Sequence, residues 1–263
     1  MKTKISLEVL NVLSIVFFVC FTIPELASQN NDSLKLAKES LHFDFYSTDA
    51  DIKVLDSLAT RLEKYYAGIT HHLGIQINKK IKVKVFPNLK SFHAAINFPD
   101  APDWVVGTGY VDELMIVSPL NPGRYHTYES LMQVIVHEFT HVAVYHVRAD
   151  KGMSGFPKWL SEGYACYEAG QINDQIRKSI VSLLSEKELP TWAQLENTTE
   201  TTFGQMNGYG ISTTIVEFLI ATYGFDKLVL LIKEPENIET IYGLSKDTLE
   251  KQWIRYLKHE PIK

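Results

Sequence analysis

The sequence predicts an α+β fold, in which a small mixed β-sheet is followed by a mainly helical C-terminal part. Strand-like alternation of apolar residues occurs in the first half of the chain, whereas spacings of three and four residues dominate the second half. The composition, 45% hydrophobic and 22% charged over 263 residues, is typical of a globular chain with one sizeable core. We therefore expect one domain over 41–263, with its β-containing part at about 41–125 and its helical part at about 126–263.

The N-terminal segment differs in character from the rest of the chain. Two lysines precede an apolar stretch over 9–23, and a proline and small residues come after it. This is the layout of a secretory signal, and the apolar stretch is shorter than the roughly 20 residues that a membrane-spanning helix needs. We expect 1–28 to be a signal peptide or, alternatively, a retained N-terminal anchor, followed by a polar tether over 29–40. The predicted location is extracytoplasmic (secreted, periplasmic or membrane-anchored) in a bacterium.

The first half of the predicted domain contains strands and helices. Alternating apolar residues indicate the strands, and apolar residues three or four positions apart indicate the helices. Pro87 cannot donate to a strand ladder, so the second strand should stop at Phe86. The predicted strands cover 41–46, 81–85, 104–110 and 114–117, and the predicted helices cover 49–73 and 89–96.

The second half is predicted to be helical almost throughout. It starts with a long helix over about 127–148, after a loop rich in proline, asparagine and glycine. Because strands and helices are segregated along the chain, the order argues for α+β. The further predicted helices cover 157–169, 171–185, 211–223, 225–233 and 246–258.

Charge and cysteine content argue against nucleic-acid-binding and disulfide-stabilised proteins. The formal net charge is −5, and the densest basic run, 79–84, alternates like the solvated face of a strand. The chain has only 2 cysteines, so Cys166 stands alone if the N-terminal segment is removed. We expect Cys166 to be a small buried hydrophobic residue rather than a nucleophile or a metal ligand.

A histidine pair on the long helix is the strongest chemical signal. His137 and His141 are four residues apart, so both imidazoles lie on one face of the helix and point at a common position. Two neutral imidazoles suit Zn²⁺. Glu138 lies beside the pair, where its carboxylate can accept a proton from a metal-activated water. The flanking residues are apolar, so these polar side chains need partners in the protein interior.

Glu162 is the candidate third ligand, because a catalytic zinc site takes three protein ligands and leaves one position open. It comes after Pro157, which can open a helix, and lies among apolar neighbours where a carboxylate is costly unless compensated. Gly163 within the same helix is unfavourable by about 1 kcal/mol, which suggests the close approach of another backbone. Glu168, on the same segment, is a candidate hydrogen-bond partner for a ligand histidine.

The segments His137-Glu138-Phe139-Thr140-His141 and Trp159-Leu160-Ser161-Glu162-Gly163-Tyr164-Ala165 together resemble the gluzincin zinc metallopeptidases, the clan of thermolysin and the M1 aminopeptidases. The chain after the N-terminal segment is similar to the small bacterial peptidase MA-like domains of that clan. The resemblance implies one Zn²⁺ per chain, held by His137, His141 and Glu162, with Glu138 as general base. It also implies a zincin-like fold, in which the small sheet packs on the helix of the zinc site.

Two further features bear on activity. Tyr209 resembles the tyrosine that lies downstream of the third ligand in the MA-like domains, which implies a role in holding the oxyanion; packing at a helix entrance is the alternative. M1 aminopeptidases bind the free amine with a Gly-x-Met-Glu-Asn segment, whereas 106–110 here reads Val-Gly-Thr-Gly-Tyr. An endopeptidase is therefore expected rather than an aminopeptidase. Gly107 and Gly109 would permit close approach to this strand, or they would mark a bulge.

The sequence thus predicts a zinc-dependent metallohydrolase, and specifically a peptidase. The alternative is a catalytically silent, zinc-stabilised binding module or an envelope factor with a single dedicated protein partner. We expect a peptide or protein substrate, contact with a membrane only through an N-terminal anchor, and a monomer.

Overall fold

The computed structural model describes residues 34–186 and 189–259. The signal peptide or anchor predicted over 1–28 lies outside these residues. The described residues form a five-stranded sheet and a series of helices. The strands are β1 (Lys35–Glu39), β2 (Phe43–Ser47), β3 (Ile81–Phe86), β4 (Gly107–Tyr110) and β5 (Glu113–Val117). The helices are α1 (Ile52–Leu73), α2 (Leu89–Ala95), α3 (Tyr128–Val147), α4 (Lys158–Ala169), α5 (Asp174–Glu186), α6 (Trp192–Glu196), α7 (Glu200–Gln205), α8 (Gly208–Tyr223), α9 (Phe225–Lys233), α10 (Ile238–Tyr242) and α11 (Lys246–His259).

The sheet is mixed and has the order β1-β2-β3-β5-β4. Its three central strands run parallel to one another, whereas β1 and β4 pair antiparallel at the two edges. After β5 the described chain is helical, so the predicted α+β class is confirmed. Strand β3 ends at Phe86, as Pro87 predicts.

Strand β1 corrects the prediction of a polar tether over 29–40. Lys35–Glu39 pairs antiparallel with β2, with Lys35 opposite Ser47 and Glu39 opposite Asp44. Most of its side chains are exposed, so the segment has no alternation of buried and exposed positions. The partner strand stabilises it through backbone hydrogen bonds, and such a strand leaves no hydrophobic pattern in the sequence.

Helix α3 lies at the centre of the molecule, between the sheet and the other helices. Phe139 on α3 contacts Phe43 on β2 and Tyr66 on α1, with 5.5 Å between ring centroids in each pair. The remaining faces of α3 pack against β4, β5 and α4. As a result, every residue from Leu131 to Val144 except Gln133 is buried. Every polar side chain in that stretch must therefore be satisfied within the protein.

The predicted helices of the second half are all observed, with ends that differ from the prediction by at most three residues. Helices α6, α7 and α10 were not predicted, because five or six residues are too few to show a helical period. Cys166 is buried on α4, as predicted. Within the described residues, no helix is both long and apolar enough to cross a bilayer.

Candidate metal centre

The two histidines of the motif project from one face of α3. The helix begins at a capping box, in which Thr127 and Ser130 satisfy each other's backbone N–H groups. His137 and His141 lie one turn apart, and both are buried. Their Nε2 atoms lie 3.0 Å from each other. The helical spacing therefore brings the two imidazole nitrogens to one point, as predicted.

Glu162 reaches the same point from α4. Its Oε2 atom lies 3.3 Å from Nε2 of His137 and 3.7 Å from Nε2 of His141. One ligand atom from each of the three residues lies within 4.8 Å of the others, and all three side chains are buried. The structure thus brings together the three residues that the sequence predicts as metal ligands.

Gly163 allows α4 to hold Glu162 in this position. A β-carbon at Gly163 would lie 2.5 Å from the backbone oxygen of Ser212 on α8, closer than any side chain tolerates. The close approach of another backbone is therefore confirmed. Because α4 and α8 are in direct backbone contact at Gly163, α8 supports the helix that carries Glu162.

The other ring nitrogen of each histidine has its own partner. Nδ1 of His137 lies 2.7 Å from Oε1 of Gln171, and Nδ1 of His141 lies 3.3 Å from Oγ of Ser161. Both partners can accept a hydrogen bond from a protonated Nδ1, which leaves the Nε2 lone pairs directed toward Glu162. The sequence did not predict Gln171. Glu168, the candidate for this role, instead contacts Nδ1 of His72 at 3.0 Å.

The charges at the centre suit a cation. Burial raises the pKa of the Glu162 carboxyl, but the facing imidazoles of His141 and His137 outweigh burial and lower this pKa to about 2. Burial also lowers the pKa of His137, which favours the neutral imidazole. An ionised carboxylate beside a neutral imidazole is the protonation state in which both groups bind metals.

The donor set fits a divalent metal ion. Oε2 of Glu162 has no hydrogen-bond partner among the described residues, although it is completely buried. Two imidazole nitrogens face it, so three electron-pair donors converge on one buried position. Such an arrangement is unfavourable without a positive charge between the donors, and a bound cation would compensate it.

Glu138 lies next to this centre without belonging to it. It is 0% exposed, and neither of its carboxyl oxygens has a hydrogen-bond partner in the described part of the chain. Burial and the nearby charge of Glu162 raise the pKa of Glu138 well above its usual value. A raised pKa makes this carboxylate a stronger proton acceptor than that of an exposed glutamate.

Strand β4 covers the Glu138 side of α3. A β-carbon at Gly107 would lie 2.8 Å from Oε1 of Glu138, and one at Gly109 would lie 2.4 Å from the Glu138 backbone oxygen. The register with β5 runs without interruption from Gly107 to Tyr110. Of the two alternatives for these glycines, the structure therefore shows close backbone approach and no bulge.

Tyr209 lies in the first turn of α8 and is buried. Its ring packs edge-on against Phe203, with 4.9 Å between centroids, and its backbone oxygen accepts a hydrogen bond from Thr213. Tyr209 is one turn before Ser212, at the contact between α8 and α4. The ring contact is thus with α7, and the catalytic role of Tyr209 stays a prediction.

The described residues thus form an α+β domain with a buried His-His-Glu group that could hold a metal ion, next to the carboxyl group of Glu138. The chain belongs to the Peptidase MA superfamily, whose family model matches residues 64–259. The match covers well over half of the chain and includes α3 and α4, so the predicted resemblance is confirmed. Membership supports a peptidase. No curated protein matches the chain significantly.

Proposed function

We propose that this protein is a zinc-dependent metallopeptidase of the gluzincin type, and an endopeptidase. The observation that carries the proposal is the convergence of His137, His141 and Glu162 on one buried position beside the unpartnered carboxyl group of Glu138. Two neutral imidazoles and one carboxylate are a ligand set typical of catalytic zinc, which needs an open fourth position. When bound, zinc would supply a Lewis acid that polarises the scissile carbonyl and makes water acidic enough to react at neutral pH.

Glu138 is the proposed general base. Its raised pKa brings its proton affinity closer to neutral pH than that of an ordinary glutamate. Its carboxylate accepts a proton from the attacking water, and its protonated form then donates that proton to the leaving amine nitrogen. Neither carboxyl oxygen is engaged by another described residue, so both remain available for the transfer.

Tyr209 is the proposed oxyanion donor. Hydrolysis of an amide passes through a tetrahedral oxyanion, and a phenol O–H can donate a hydrogen bond to it. The role is supported by the place of Tyr209 on α8, the helix whose Ser212 lies against Gly163, next to Glu162 on α4. A Tyr209→Phe variant should retain the fold and lose about 100-fold in kcat, the lower end of what an oxyanion donor contributes.

The edge strand β4 is the proposed binding surface for the substrate backbone. It pairs with β5 on one side only and lies at the end of the sheet, against Glu138. An extended peptide can pair with such an edge through main-chain hydrogen bonds. Residues 106–110 contain no acidic side chain to bind a free amine, which supports an endopeptidase. Peptide or protein substrates, a monomeric state and an extracytoplasmic location remain part of the proposal.

The test combines metal content with one substitution. Purified protein should contain about one zinc per chain, as a three-ligand catalytic site requires. Glu138→Gln should retain the metal and lower hydrolysis of a peptide library by about 100-fold or more. Glu129→Gln, the same change at an exposed position of α3, should leave both unchanged. A folded wild type without metal would refute the proposal. Metal-loaded wild type that cleaves no peptide would favour the silent binding module.

A further inference from the structure

We propose that Gln171 is the positioning residue of the metal centre, and that it fixes the tautomer and orientation of His137. This inference rests on the proposed metal site. Gln171 comes directly after Gly170 at the end of α4, so the helix that supplies Glu162 also supplies the partner of the first histidine. Gln171 is 5% exposed, and its Oε1 atom lies 2.7 Å from Nδ1 of His137.

The direction of this hydrogen bond decides whether His137 can bind a metal. When Oε1 accepts, Nδ1 carries the proton and Nε2 presents its lone pair toward Glu162. The opposite amide orientation would place N–H groups against Nδ1. It would force the proton onto Nε2, between the ligand atoms. The amide nitrogen of Gln171 has no hydrogen-bond partner among the described residues. The hydrogen bond of the Gln171 side chain is therefore the one that its oxygen makes with His137.

The backbone around Gln171 holds it in place. Gly170 adopts a left-handed conformation with φ of +64°, which ends α4 and turns the chain back toward α3. The backbone N–H of Gln171 donates to the oxygen of Cys166 at 3.0 Å. From α3, Gln133 donates to the oxygen of Gly170 at 3.2 Å. The turn is therefore bonded both to its own helix and to the helix of the two histidines.

The nearest substitute for Gln171 is weak. Sγ of Cys166 lies 3.6 Å from Nδ1 of His137, and a thiol sulfur accepts hydrogen bonds poorly. Without the amide, the imidazole would therefore lose most of its orientation. Partners of this kind typically contribute 10–100-fold to metal affinity.

The test measures zinc affinity of the full chain by competition with a chromogenic chelator, starting from metal-free protein. Gln171→Met removes the acceptor at nearly constant volume and should weaken zinc binding about 10-fold or more. Gln171→Glu keeps an acceptor oxygen at the same reach and should stay within about threefold of the wild type. Gln133→Met, the matched change at the α3 residue that donates to this turn, should also stay within about threefold, because the Gln133 amide donates to the oxygen of Gly170 and not to an imidazole nitrogen.

Unfolding of each metal-free variant shows whether the affinity loss comes from positioning. The expected result is an affinity loss in Gln171→Met with a wild-type unfolding midpoint. Equal affinity of Gln171→Met and wild type would overturn the inference and leave the metal site intact. The inference would also fail if affinity fell only together with metal-free stability, or fell equally in Gln133→Met. A wild type that binds no zinc would instead refute the proposed function.

Discussion

Gly109 lies so close to Glu138 that a β-carbon on the glycine would fall 2.4 Å from the glutamate's backbone oxygen. The edge strand and the helix of the proposed base are thus in backbone contact. Any side chain at position 109 must push them apart, and the carboxyl group of Glu138 would move relative to the strand. The distance between β4 and α3 is therefore set by the absence of one methyl group.

The first prediction concerns this contact. Gly109→Ala should lower the free energy of unfolding by about 1–3 kcal/mol, because overpacking forces a backbone shift. It should also reduce kcat/KM about 10-fold or more, since small displacements of a catalytic group are costly. Gly68→Ala is the matched control: it lies within α1 with no atom within 4 Å of the added carbon. That variant should gain about 0.5–1 kcal/mol and keep full activity. Equal behaviour of the two variants in denaturant titrations would contradict the role of the contact.

The second prediction rests on the raised pKa of Glu138 in metal-free protein. An unfolded glutamate titrates near pH 4.3, so above about that pH the folded state holds this proton more tightly than the unfolded state. Stability from this group is therefore greatest at acidic pH and is lost as pH rises toward the folded pKa. Glu138→Gln, which cannot ionise, should be more thermostable than wild type at pH 7 and indistinguishable from it below about pH 4.

Thermal unfolding between pH 3.5 and 8 checks this prediction, with Glu129→Gln as control. Glu129 is exposed and pairs with Arg61, so its loss should change stability by no more than about 1 kcal/mol. A stability difference between wild type and Glu138→Gln that does not depend on pH would show that the carboxyl group is not the cause.

The third prediction concerns removal of the metal. A chelator should lower the melting temperature of wild type, because a ligand that binds only the folded state stabilises it by about 2.7 kcal/mol at 100 times its Kd. Glu162→Gln should lose most of this shift, since it removes the negative charge that faces both histidines. Differential scanning calorimetry with and without added zinc measures the shift. Glu138→Gln should retain it, and an equal loss in both variants would contradict the assignment of Glu162 as ligand.

The fourth prediction concerns Arg148, a buried cation at the C-terminal end of α3. Its Nη1 atom donates to the backbone oxygens of Ile232 and Lys233 at 2.9 and 3.0 Å, at the end of α9. Arg148→Met leaves these carbonyl groups buried without a charged donor and should cost about 2–4 kcal/mol. Arg61→Met removes only an exposed pair and should cost at most about 1 kcal/mol. Denaturant titrations measure both, and a loss below about 1 kcal/mol for Arg148→Met would refute the role.

The sequence predicted the parts of the site that have a local pattern. His137 and His141 have helical spacing, and Glu162 lies in an apolar helix where a carboxylate is out of place. Gln171 has no such pattern, because a helix end and a left-handed glycine bring it to His137. A contact that forms across such a turn can be recognised only from the three-dimensional structure. The same limit explains why Glu168 was a candidate partner, although its contact is with His72.

In the fold, the elements that were missed are short or lack buried residues. Strand β1 depends on its partner strand and has no apolar period of its own. Helices α6 and α7 do carry a local signal, since each begins at a capping threonine, Thr191 and Thr199. Thr191 followed three residues later by Gln194 has the sequence pattern of a capping box, which indicates a helix start. Such capping boxes are independent of the hydrophobic period, which five or six residues are too few to show.

Helix α4 reaches His137 from both of its ends, through Glu162 in its first half and Gln171 just after its last residue. Each residue inserted into or deleted from a helix rotates the residues after it by about 100°. The segment 162–171 should therefore tolerate no change in length. The loop between α3 and α4 carries no ligand of the metal centre, so a change in its length does not rotate Glu162 relative to Gln171. Relatives of this chain should accordingly keep the interval from the third ligand to the glutamine while the interval between the histidines and that ligand varies.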